Sequence, residues 1–166
     1  MGALALLDLS SAFDTVDQLL LQILHYRLCV TDSALACFRS YLTDRAHVVA
    51  VNGQSSTKVV KSRHGVPQGS VLGPKFIAYT EDIDTIFHSH ELHHHCFADD
   101  TQMYISTPRT EAHTIAPHLQ RCISDVSDWC GSRRLQLNAA KTEVIWFGSK
   151  SLSDPDKAVV IANETL

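Results

Sequence analysis

Two adjacent carboxylates, Asp99 and Asp100, stand between two strand-like runs, His94 to Ala98 and Thr101 to Ser106. This reads as a β-hairpin with Asp-Asp at its tip, although the turn is not of the Asn-Gly type. Carboxylates side by side repel, and each resists ionising beside the other. A cation between them relieves that repulsion. Hard oxygen donors at a fixed tip suit Mg²⁺ or Mn²⁺ rather than Zn²⁺. Taken alone, the pair has a plainer reading, a solvated turn. A third carboxylate, Asp8, closes the apolar run Ala3 to Leu9, whose length and abrupt polar end predict a buried strand. If the two strands are neighbours, three acidic donors converge. Such a set can hold two divalent ions roughly 3.5–4 Å apart, the geometry for in-line phosphoryl transfer. A strand-end cap for Asp8 and a helix cap for Asp14 are the readings that spacing alone leaves open.

The elements that must position these residues follow from periodicity. After the turn Ser10 to Thr15, a helix is expected over about Val16–Leu28, with Leu19, Leu20, Ile23, Leu24 and Leu28 at helical spacing. Thr31-Asp32 opens a second helix carrying Leu35, Phe38 and Leu42 on one face. Val48–Val51, Asn52-Gly53 and Thr57–Lys61 read as a hairpin. Gly65 to Pro74 is dense in Gly and Pro, a loop of constrained shape, and a helix should start near Ser70 and run to Phe87. Beyond the central hairpin, Thr110–Cys130 predicts a long amphipathic helix stopped by Gly131. Leu135–Asn138 and Glu143–Phe147 alternate like strands, and Ala158–Ile161 is a last strand or a frayed tail. The order β-α-α-ββ-α-ββ-α-β-β, with strands in one sheet and helices on one face, is an α+β architecture.

The totals narrow the function. A chain of 166 residues suits one domain with a real core. No apolar run is long enough to span a membrane, so no membrane partner is expected, and nothing marks a homo-oligomer. The N-terminus lacks the basic region of a signal peptide. Five cysteines, an odd number in no CxxC pattern, point to a reducing compartment, hence an intracellular protein of nucleus or cytoplasm. A formal charge of −4 argues against a stand-alone nucleic-acid binder, unless the basic surfaces lie on parts that this chain lacks.

Four ordered segments carry a resemblance. They are Leu7–Asp14 (LDLSSAFD), Gly65–Pro74 (GVPQGSVLGP), Phe97–Asp100 (FADD) and Leu137–Glu143 (LNAAKTE). Together they resemble the palm of reverse transcriptases from non-LTR (LINE-type) retrotransposons, over residues 1–148, with 149–166 as a linker or tail. The resemblance implies a polymerase palm-like antiparallel sheet with helices on one face, fingers mostly absent and thumb absent. It implies RNA-directed DNA polymerase chemistry: a primer 3′-hydroxyl attacks a dNTP, with an RNA template, a DNA primer and Mg²⁺ or Mn²⁺ as partners. Asp8, Asp99 and Asp100 then match the metal-binding catalytic carboxylates, with the Leu9 carbonyl as a further ligand. Phe13 matches the aromatic gate against the 2′-hydroxyl of the nucleotide, and has a second reading as a core residue. Gln68 and Gly69 match the loop on the nucleotide and template base. Lys141 matches the lysine near the triphosphate, a general acid for pyrophosphate release, or is an ordinary surface lysine.

The chain also departs from that pattern. Gly73 to Tyr79 is one residue shorter than the usual run, which rotates the following helix by about 100°. Cys29 and Cys37 stand where such sequences often have Gly and Trp, and Cys37 should leave a smaller side chain in the core. The missing fingers, primer grip and thumb make weak activity, or a relic or interaction module without activity, the expected alternative. His88, His90, His93, His94 and His95 invite a zinc reading. In a strand, however, His93 and His95 share a face that His94 opposes, and no cysteine pair completes a four-ligand set. A solvated loop leading into the hairpin is the expectation.

Overall fold

Burial along Gly2–Leu7 alternates residue by residue, with Ala3, Ala5 and Leu7 inside and Gly2, Leu4 and Leu6 half-buried. One face of this strand is core and the other is partly solvated, as its period of two requires. The structure is a computed structural model, and it describes residues 1–166 except 11, 17, 18, 58, 63, 67–74, 149–158, 162, 163 and 166. In chain order the strands are β1 (Gly2–Leu7), β2 (Arg45–His47), β3 (Ala50–Val51), β4 (Gln54–Ser55), β5 (Val60–Ser62), β6 (His93–Phe97), β7 (Asp100–Ser106), β8 (Glu143–Phe147), β9 (Val160–Ile161) and β10 (Glu164–Thr165). The helices are α1 (Ala12–Thr15), α2 (Leu19–Tyr26), α3 (Asp32–Leu42), α4 (Lys75–Thr80), α5 (Asp84–Ser89) and α6 (Ile115–Ser132). By internal contacts the chain forms two compact units, Met1–Ala12 with Thr80–Leu166, and Phe13–Tyr79.

The first unit is built on a four-stranded sheet in the order β6-β7-β1-β8. Every pairing in it is antiparallel: β1 with β7 from Leu7↔Thr101 to Gly2↔Ser106, β1 with β8 from Leu6↔Glu143 to Gly2↔Phe147, and β6 with β7 from Phe97↔Asp100 to His93↔Tyr104. The other strands pair separately as β2-β5, β3-β4 and β9-β10, so the expectation of one sheet fails. On α6, Ile115, Leu119, Cys122, Ile123 and Val126 are buried as helical spacing predicts, whereas Trp129, expected on the same face, is half-buried and Cys130 is buried instead. Each aliphatic side chain so buried contributes about 1.5–3 kcal/mol relative to exposure.

Gly131 does not stop α6. The stop lies at Arg134, whose φ of +59° closes the helix: Leu135 N–H donates to the Cys130 carbonyl, and Arg134 N–H to that of Gly131. This is a Schellman turn with arginine in the position that glycine usually takes. The first turn of the expected helix, Arg109–Thr114, is 3-10. The helix expected up to Phe87 is likewise broken, by a 3-10 turn over Glu81–Ile83 between α4 and α5, and its expected start near Ser70 lies outside the described residues.

In the second unit Val16, Leu20, Leu21, Ile23, Leu24, Val66, Phe76 and Tyr79 are buried. Asp14 and Thr15 lie inside α1 rather than capping a later helix. Asn52 and Gly53 both take positive φ, +50° and +78°, as a tight I′ hairpin turn between β3 and β4 demands. Cys29 has φ of +53°, a conformation that favours glycine and therefore accounts for the glycine often found there. Cys37 is exposed on α3, where no residue is fully buried, so its small side chain leaves no gap in a core.

Candidate active site

Asp8 follows β1 directly, and Asp100 opens β7. The last β1–β7 pair is Leu7↔Thr101. One further step in that register sets Asp8 beside Asp100, on the face carrying Leu6 and Gln102 rather than the buried face of Leu7 and Met103. Residues so opposed have Cβ atoms about 4.5–5.5 Å apart in a regular ladder. Asp99 sits in the turn. The hairpin tip is Ala98-Asp99, not Asp99-Asp100, because Phe97 pairs with Asp100. Ala98 has φ of +56°, the sign that a tight two-residue hairpin turn needs at its first position. The carboxylates therefore stand one in the turn and one on the ladder.

A turn on the β8 side fixes Asp8. Asn138 N–H donates to the Asp8 carbonyl at 2.8 Å, and Ser10 N–H donates to the Gln136 carbonyl at 2.8 Å. These bonds flank an antiparallel bridge between Leu9 and Leu137. In such a non-hydrogen-bonded pair the groups of the paired residue point outward, so the Leu9 carbonyl is directed away from this turn. Leu135–Asn138, expected as a strand, contributes only this bridge. The buried Thr142 completes the clamp: its hydroxyl donates to the Asn138 carbonyl at 2.8 Å and lies 3.5 Å from the Asp8 amide. Sequence reasoning missed Thr142. The signal was a hydroxyl beside Lys141 at the head of a strand.

Lys141 Nζ lies 3.7 Å from Asp8 Oδ2, on an exposed side chain. That oxygen is buried and has no hydrogen-bond partner. A buried carboxylate oxygen left unmatched costs free energy that a ligand cation would recover. With Asp100 alongside and hard oxygen donors throughout, the donor set fits a Mg²⁺-type ion.

The remaining candidates belong to the second unit. The Phe13 ring packs on Phe76 with centroids 4.7 Å apart, and its carbonyl accepts from Val66 N–H at 2.6 Å. Gly65 N–H donates to the Val16 carbonyl at 2.6 Å, so the start of the Gly-Pro loop is pinned to α1 and the residue after it. A Cβ on Gly65 would lie 2.9 Å from the Asp14 carbonyl oxygen, which explains glycine there. Arg45 donates to the His64 and Gly65 carbonyls. Gln68 and Gly69 lie outside the described residues.

The family described as reverse transcriptase (RNA-dependent DNA polymerase) matches residues 3–156. The RNA-directed DNA polymerase from mobile element jockey of Drosophila melanogaster is 30% identical over 158 residues, covering 91% of this chain and 17% of that protein. The probable RNA-directed DNA polymerase from transposon BS of the same organism is 35% identical over 123 residues, covering 69% of this chain and 13% of that protein. The chain thus spans less than a fifth of the length of these relatives. Among solved structures, apo telomerase from Candida tropicalis, truncated from its C-terminal domain, superposes with a TM-score of 0.65 at 18% identity, covering 91% of this chain and 32% of that one. Telomerase from Candida albicans in complex with a fragment of telomeric RNA gives 0.62 at 13% identity, covering 99% and 29%. These two likenesses show the fold, a palm-like sheet with helices.

Proposed function

This chain belongs to the reverse transcriptase family, of the non-LTR retrotransposon type, and on that premise we propose that it carries the nucleotidyl-transfer centre of an RNA-directed DNA polymerase. The observation that carries this reading is the register that sets Asp8 beside Asp100 at the end of β1 and β7. Reverse transcriptases as a family use a divalent metal. Here Asp8, Asp99, Asp100 and the Leu9 carbonyl would hold Mg²⁺, or Mn²⁺ in its place. Bound there, the ions supply charge stabilisation to the attacking and leaving oxygens and lower the pKa of the primer 3′-hydroxyl.

The chain's own groups do the rest. The rigid end of β1 and the clamp of Asn138 and Thr142 hold Asp8 in place while substrates change. Lys141, whose ammonium lies 3.7 Å from Asp8 Oδ2, would meet the triphosphate and give a proton to the departing pyrophosphate. Gln68 and Gly69 would bind nucleotide and template base, and Phe13 would screen the sugar at its 2′ position. The substrates are dNTPs, with an RNA template and a DNA primer. Residues 1–148 would be the catalytic segment, with 149–166 as a linker or tail, and the protein would work inside the cell, in nucleus or cytoplasm.

The test is primer extension on an RNA template with Mg²⁺ or Mn²⁺, beside Asp99→Ala and with a CD melt of each protein. Extension by the wild type and none by Asp99→Ala is the expected result, together with loss of Mn²⁺ binding in the variant. A cooperatively melting wild type that does not extend would overturn the activity and leave a folded interaction module.

A further inference from the structure

A second cluster of ligand-type side chains lies on the same unit, at the outer strand. Asp84 and His88 are one helical turn apart on α5, so they share a face. His94 is on β6, and alternation turns it to the side opposite His93, whose ring stacks on Tyr104 at 5.1 Å. His94 Nε2 meets Asp84 Oδ1, and His88 Nδ1 lies 3.1 Å from Asp84 Oδ2. One ligand atom from each of the three residues lies within 4.8 Å of the others. The His94 ring is held from two sides, stacked on the buried Phe87 at 4.8 Å and edge-on to His88 at 5.3 Å.

We propose that Asp84, His88 and His94 form a binding site for one first-row transition-metal dication, zinc foremost, tying α5 to the edge strand β6. Two imidazoles and one carboxylate are a donor set that such ions take and that Mg²⁺ avoids. The ligands come from two elements, so the ion crosslinks them. Solvent has access, because the Asp84 side chain is 51% exposed and that of His88 70%, which leaves room for water as a further ligand. His94 is positioned in advance by its ring contacts, so little ordering remains to be done on binding. The adjacent pair His90 and Asp125, at 2.7 Å, is a separate contact to α6. The Cys96 thiol, on the same face of β6 as His94, accepts from the Thr101 hydroxyl at 3.8 Å and lies outside the cluster.

This site differs in donor chemistry from the carboxylates at the end of β1 and β7, so the two can be told apart. The whole chain, stripped with chelator, is titrated with ZnCl₂ by calorimetry in excess Mg²⁺. The expected result is one tight equivalent that raises the thermal midpoint. In His88→Ala and in His94→Gln the affinity falls by roughly tenfold or more, while Asp99→Ala keeps it. His88 is largely exposed, so its variant tests the site without endangering the fold. Absence of saturable zinc uptake by the wild type, or uptake that persists in the two histidine variants combined, would overturn the proposal.

Discussion

At the end of β1 and β7, Asp8, Asp99 and Asp100 are placed by main chain: a ladder register, a two-residue turn and the carbonyl–amide bond from Asn138 to Asp8. At the outer strand, Asp84, His88 and His94 are placed by one another and by the stack on Phe87. A site set by main chain keeps its positions when a side chain is exchanged, so its chemistry and its folding are separable. A site set by side chains loses geometry with each exchange. This is why a carboxylate variant can serve as a clean probe of function, whereas a variant of the half-buried His94 needs a melt beside it.

The largest expected effect would break both regions at once. Met103 is wholly buried and is the register partner of Ala5 on β1 and of His94 on β6. Met103→Ala should cost about 2–5 kcal/mol in urea unfolding. Manganese and zinc binding should then fall together. Loss of one without the other would show that the regions do not share this core.

Alkaline pH should strain the helix behind the histidines. Burial pushes the Cys122 and Cys130 thiols up from 9.0 to about 12, with the negative charge of Asp125 adding to the effect at Cys122. The unfolded chain ionises these thiols near the ordinary value while the folded chain holds their protons. Stability complete below about pH 9 is therefore lost as the pH rises toward about 12. Thermal midpoints taken across that window should fall, and less steeply in Cys130→Ala. Equal slopes would remove the cause named here.

Two smaller effects sharpen the carboxylate side. Thr142→Ala removes the hydroxyl that ties Asn138 to the Asp8 amide, at a cost of about 1 kcal/mol. Primer extension should drop more than stability does, because the clamp positions Asp8 and Lys141. Ala98→Gly relieves a positive φ and should raise stability by on the order of 0.5–1 kcal/mol in chemical denaturation. A destabilised Ala98→Gly would mean that the alanine side chain has a packing role in the turn.

Much of the carboxylate region was legible in the sequence, for physical reasons. The apolar run ending at Asp8 and the alternation around Asp99-Asp100 follow directly from strand periodicity. The tip was misplaced by one residue because alanine at positive φ leaves no compositional mark. The stop at Arg134 was hidden for the same reason, and Gly131 drew it instead. The clamp at Asn138 and Thr142 depends on contacts more than a hundred residues apart in sequence, beyond any local pattern. In the histidine region, alternation did separate His93 from His94. Asp84, the residue that unites the cluster, was overlooked although it stands four before His88 in a segment expected to be helical. The single expected sheet failed because hydrophobic alternation names strands without naming their neighbours.

The Ala98-Asp99 turn has no spare residue. A residue gained or lost within β7 must therefore slip it against β1, and a slip of one would turn Met103 to solvent and Asp100 into the core. Point substitutions on this hairpin are graded in their effect, while changes of length are all-or-none. The spacing along β7 is thus fixed more tightly than the identity of its exposed residues.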